Sequence, residues 1–143
     1  MRVRSWLSAW LLLCVAMPGC ATRGTPDAGT PEAEGVVKGR VSYRERVALP
    51  PDAVVDLWIM DVSSGIVAQV ITAEASVPTE GRQVPIPFEV RYDPARIAAD
   101  HPYGIRAVIR AGGRTMFESE EPVLVITQGN PTDVDLWLRA APR

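Results

Sequence analysis

Alternating apolar and polar residues, broken at regular intervals by Gly and Pro turns, predict an all-β domain over residues 35–140. The expected architecture is an antiparallel β-sandwich of about seven to eight short strands. Two observations narrow the class. Beyond Gly35, helical character is confined to Pro94–Asp100, about two turns at most. Where the alternation is cleanest, each segment has one apolar and one polar face, as sheets packed face to face require.

The strands follow in order. Val37–Tyr43 is the first, Val54–Val62 the second and Ile66–Val77 the third, with Ser63-Ser64-Gly65 joining the last two. Val84–Tyr92 is the fourth, with Phe88, Val90 and Tyr92 on one face and Glu89 and Arg91 on the other. Pro85 and Pro87 lie two apart in it, so both remove N–H donors from the same side. Only an edge strand or a strand end tolerates that, and such an edge resists a foreign strand. Tyr103–Arg110 and Thr115–Glu118 form a hairpin around Gly112-Gly113. In the first of these, Ile105, Ala107 and Ile109 oppose Arg106 and Arg110. Val123–Thr127 and Asp133–Leu138 close the chain on either side of Gln128-Gly129-Asn130-Pro131. Val134, Leu136 and Leu138 oppose Asp133, Asp135 and Arg139.

The N-terminal residues have another texture. Arg2 and Arg4 precede a nearly all-apolar run of 12 residues, Trp6–Met17. That run is shorter than the roughly 20 residues needed to span a bilayer. It has no polar face for a surface helix, so Met1–Gly19 reads as a signal peptide. Met17-Pro18-Gly19-Cys20 resembles a lipobox, where bacterial lipoprotein processing attaches diacylglycerol to cysteine. Small Gly19 fits, while Met17 stands where leucine is usual and Pro18 is unusual. Bulky Leu13 makes Cys14 a poorer site. The alternative is a secreted protein cut near Ala21. The adopted division is a signal peptide over 1–19, acylated Cys20 with a flexible tether over 20–34, and the β domain over 35–140.

The tether, Ala21–Glu34, has two Pro, two Gly and three Thr, and no apolar side chain that could anchor it. Its root-mean-square reach is roughly 20 Å. With Cys14 removed and Cys20 acylated, the mature domain carries neither free thiol nor disulfide, and must be stable on its core alone. Removing Arg2 and Arg4 takes 15 basic residues to 13 against 17 acidic ones, a net of −4. This balance argues against nucleic acid as a partner and against electrostatic attachment to anionic lipid. The membrane partner is reached through the lipid at Cys20.

Chemistry-bearing residues are sparse. His101 is the only histidine, in a turn, and metal sites usually need several His or Cys. No glycine pattern of a nucleophile elbow surrounds a serine. Glu118, Glu120 and Glu121 read as solvated strand-end charges rather than a Ca²⁺ site. No catalytic residue, cofactor or metal is expected. One feature is less bland: Val55-Asp56-Leu57-Trp58 and Val134-Asp135-Leu136-Trp137 are the same tetrapeptide. If Val and Leu face the core, Asp56, Trp58, Asp135 and Trp137 face outward. They would form a partner or ligand patch if the two strands share a sheet. Otherwise each Trp packs under a loop or against arginine stems.

The order of segments resembles a known family. Gly39–Ala53 carries Tyr43-Arg44-Glu45-Arg46 and Leu49-Pro50-Pro51. It is followed by Gln83-Val84-Pro85-Ile86-Pro87-Phe88, Arg91-Tyr92-Asp93-Pro94-Ala95-Arg96-Ile97 and Tyr103–Ile109. This is similar to the YbaY/YscW lipoproteins over about Gly39–Leu138. The resemblance implies a β-sandwich lipoprotein of the Gram-negative outer membrane, facing the periplasm. It also implies a pilotin-like role, helping a secretin reach and assemble in that membrane. Ala21 after the cysteine resembles the outer-membrane sorting signal of enteric bacteria. The expected class is a non-catalytic module that binds or chaperones an envelope protein, a secretin among the candidates. The alternatives are a glycan or small-ligand module using the Trp patch, and an inhibitor of an envelope enzyme.

Overall fold

A computed structural model describes residues 34–65 and 70–142. The expected signal peptide, Cys20 and the tether before Glu34 lie outside the described residues. The described part is all-β, with eight strands: β1 Gly35–Tyr43, β2 Val54–Asp61, β3 Val70–Pro78, β4 Ile86–Tyr92, β5 Tyr103–Ala111, β6 Arg114–Glu118, β7 Val123–Val125 and β8 Asp133–Ala140.

The strand order is β3-β2-β5-β6-β8-β1-β4, with β7 extending the β6 side of β5. The β6–β8 link consists of two residue pairs, Phe117↔Ala140 and Glu118↔Arg139. The path folds over at that short link. β3-β2-β5-β6 and β8-β1-β4 then pack face to face as a sandwich joined along one side. On the other side β3 approaches β4 without a ladder between them, so the sheet nearly closes into a barrel.

One pairing departs from the antiparallel expectation. β8 runs antiparallel to β6 but parallel to β1, from Lys38↔Asp133 to Tyr43↔Leu138. Because β8 crosses from one sheet to the other, its direction beside β6 fixes its direction beside β1. The approach is close at Gly39, whose φ of +156° and position leave no room for a side chain. A Cβ there would lie 1.7 Å from the Val134 carbonyl oxygen.

The core is built from the alternating residues. Val37 and Val41, Val55, Leu57 and Ile59, Ile86 and Val90, Ile105, Ala107 and Ile109, and Leu136 are fully or almost fully buried. The Tyr43 and Phe117 rings stack between the sheets, with centroids 4.0 Å apart. Each fully buried aliphatic side chain stabilises the fold by roughly 1.5–3 kcal/mol relative to exposure.

Three boundaries differ in an informative way. β4 starts at Ile86, with Pro85 before it, so one predicted strand proline lies at the strand's mouth and Pro87 lies in an edge strand. The helical segment is a single 3-10 turn, Pro94–Arg96, capped by Asp93 accepting the Ala95 N–H at 2.8 Å. It ends because Ile97 is extended and packs against the core. β7 stops at Val125 because Ile126 has φ +72°, the centre of a γ-turn closed by Thr127 N–H donating to the Val125 carbonyl at 2.8 Å. Of the predicted third strand, the described part begins at Val70.

His101 is tied into the β2–β5 end of the domain. Its Nδ1 lies 2.6 Å from Asp61 Oδ2, and the Ser63 backbone N–H donates to Asp61 Oδ1 at 2.8 Å. Hydrogen bonds from Ser63 and His101 hold the Asp61 carboxyl down to about 2, and the bond to Asp61 raises His101.

Two predictions follow from these contacts. Gly39→Ala should lower the unfolding free energy by about 2–3 kcal/mol in urea titration. The same change at Gly113, where a Cβ meets nothing within 4 Å, should cost about 1 kcal/mol for its positive φ alone. The second concerns pH. Asp61, being depressed, stabilises above its ordinary 3.8, and that contribution is lost as pH falls through about 2. His101, being raised, stabilises below its ordinary 6.5, and that contribution is lost as pH climbs past its elevated value. The Tm difference between the parent chain and His101→Ala should therefore peak between about pH 4 and 6.5 and shrink above it.

Candidate partner-binding groove

The unclosed seam holds a concavity of about 660 Å³. Its walls are Ile71–Glu74 from the first half of β3, and Arg91, Tyr92, Asp93 and Arg96 from the end of β4 and the 3-10 turn. Glu34 completes it, so the chain enters β1 at the groove's rim.

Local sequence explains the shape. A register shift between Ile59 and Met60 of β2 leaves Thr72 as the extra residue of β3. The inward positions Ala73 and Ala75 are small and only half-buried, so β3 covers the core thinly. Val70 and Ile71, 64% and 50% exposed, stand free at the start of the strand. On the opposite wall, Tyr92 lies across Gly35, where an added Cβ would sit 2.2 Å from the ring. Gly35 is therefore what lets the ring fold down.

The charges are arranged on the rim. The Arg91 guanidinium sits 2.8 Å from both Glu34 and Glu89, and those carboxylates raise it further. Arg96 makes no ion pair among the described residues. The groove thus offers apolar surface at Ile71 and Ala73, an uncommitted guanidinium and an open strand edge. That set suits recognition of a polypeptide.

The residues singled out from the repeated tetrapeptide all lie on outward strand faces, at two separate places. β5 and β6 intervene between β2 and β8 in the strand order. Trp58 is half-buried in a hollow of about 360 Å³ with Asp56, Glu74, Ser76 and Arg110. Asp56 is only 4% exposed there, because Ser76 Oγ donates to it at 2.5 Å and Arg110 Nε at 2.6 Å. Trp137 is 58% exposed and lies under the Arg44 guanidinium, 5.5 Å from its ring centroid. Asp135, on the same strand, takes a two-pronged bond from Arg40 at 3.0 and 3.1 Å. The structure brings Asp56 to Trp58 and keeps the two tryptophans in different hollows.

Ser63, His101 and Asp61 meet, yet not as a hydrolytic triad. Ser63 Oγ at 3.5 Å and Asp61 at 2.6 Å both address Nδ1 of His101. A triad needs serine and carboxylate on opposite ring nitrogens. Among the described residues no group of three or more His, Cys, Asp or Glu is placed to hold a metal.

Sequence reasoning did not single out Ile71, Arg91 or Arg96. Their importance depends on which two strands fail to pair, and a single sequence carries no local signal for that. The nearest hint is Val70-Ile71 ahead of Ala73 and Ala75, an apolar strand start followed by small inward residues.

Comparison with known proteins fits this architecture. The chain is 34% identical over 102 residues to the lipoprotein YbaY of Escherichia coli (strain K12), covering 71% of this chain. It spans about half, 53%, of that relative's length. A solved structure, an alternative pilotin from the type II secretion system of Vibrio cholerae, superposes with a TM-score of 0.73 at 33% identity. The match covers 77% of this chain and 99% of that one. Residues 32–138 match the type III secretion system lipoprotein chaperone (YscW) family, and the chain belongs to that family.

Proposed function

We propose that this chain is a non-catalytic envelope lipoprotein whose tethered β domain binds and chaperones another envelope protein at the β3/β4 groove. The carrying observation is the open seam itself, in a fold shared with a pilotin. In this reading acylated Cys20 fixes the protein to the outer membrane, facing the periplasm, and supplies address and effective concentration. The groove supplies recognition, and a secretin is the partner that family membership favours.

A second reading rests on Trp137. An exposed indole beside Arg44, Glu45 and Glu120 has the makeup of a glycan platform. It calls for binding of peptidoglycan fragments that Trp137→Ala abolishes in calorimetry, with Trp58→Ala as the comparison in the other hollow.

The test of the first reading is a pull-down of tagged, lipidated chain from crosslinked, detergent-solubilised envelopes, read by mass spectrometry. A secretin should be recovered. Ile71→Asp, at an exposed position, should reduce the yield about tenfold or more without changing Tm. Cys20→Ser should leave the domain folded and abolish membrane localisation and function. A soluble, fully functional Cys20→Ser chain would contradict the tethered role.

A further inference from the structure

We infer that the partner enters the groove as an extended strand, adding to the free edge of β3 and closing the barrel. This rests on the groove being the binding site and specifies how the partner is held.

Backbone pairing leads to it. β3 is laddered only to β2, so its other edge presents N–H and C=O groups without ladder partners among the described residues. Such an edge is a template for another strand unless it is blocked. The facing strand cannot serve as that strand. β4 is committed to β1 and carries Pro87, which has no N–H, with Pro85 just before it. Both prolines lie at the start of β4, at the end of the seam away from the groove, and no ladder joins the two strands along it. The space between them opens beside the first half of β3.

Side chains define the occupant. Ile71 and Ala73 offer apolar contact, so the incoming segment carries an apolar residue there. Arg91 is paired with Glu34 and Glu89 and Asp93 caps the 3-10 turn, so Arg96, without an ion pair among the described residues, is the guanidinium left to take a carboxylate of the segment at the β4 wall, while Glu74 on the β3 wall keeps that carboxylate on the Arg96 side. The chain's own residues 21–33 are a poor occupant. They have no large apolar side chain and include two prolines that cannot donate to a ladder.

The test needs no known partner. Linear peptides are selected from a phage-displayed library on the mature lipidated chain in detergent micelles, and the selected peptide serves as the probe. Amide hydrogen exchange, read by mass spectrometry, should slow over Val70–Pro78 when the probe binds and stay unchanged in β8. N-methylating alternate amides of the probe on its pairing edge should abolish binding, while methylating the opposite edge should not. Ile71→Asp and Arg96→Glu, both exposed, should each weaken binding about tenfold with Tm unchanged.

Protection elsewhere, a helical bound probe with unaltered β3 exchange, tolerance of N-methylation at either edge, or failure to select any binder would overturn strand addition. If the crosslinked pull-down still recovers an envelope protein in that case, only the mode of capture falls. If it recovers none, the binding reading itself falls.

Discussion

The architecture depends on the contact between Gly39 and Val134. β8 must lie against β6 at its end and against β1 along most of its length. At Gly39 the approach is so close that a side chain there would hold it off. With φ at +156° and the Val134 carbonyl where a Cβ would be, Gly39 brings the two backbones together. Lys38–Asp133 at 3.8 Å and Arg40–Asp135 at 3.0 Å flank the contact on the solvent face. Those pairs are exposed and contribute little each. The specificity of the seam lies in the glycine and in the valine and leucine residues beneath it.

That junction also explains the groove. A sheet path of this length can close on both sides or on one. β8 closes one side. On the other, consecutive strands β3 and β4 form no ladder: Pro87 removes one donor near the start of β4, and β3 departs from register at its bulge, beside the groove. The opening lies beside the bulge of β3, and the small side chain of Ala73 leaves it unfilled.

Much of the fold was legible because burial follows a period of two. Phe88 and Val90, Ile105 and Ile109, and Val134, Leu136 and Leu138 each fall on the buried face that their alternation implies. Turn residues bounded the strands to within a few positions. What stayed hidden was pairing. Nothing local in Asp133–Ala140 shows that it runs parallel to β1. Nothing in the two Val-Asp-Leu-Trp segments shows that β5 and β6 separate them. The inward-outward alternation was correct for both. Yet the fate of Asp56, covered by Arg110 and Ser76, depends on strands distant in sequence. The groove was least legible of all, since it is defined by a ladder that does not form.

The position of Glu34 has a mechanical meaning. Glu34 is bonded to Arg91 on the groove's rim, and β1 begins at the next residue between β8 and β4. A pull on the chain from its N-terminal side acts along β1, where the hydrogen bonds of two ladders share the load in shear instead of opening one at a time. Among the described residues the first contact to feel that load is the Glu34–Arg91 clasp, so tension applied ahead of β1 and the geometry of the groove are joined at one side chain.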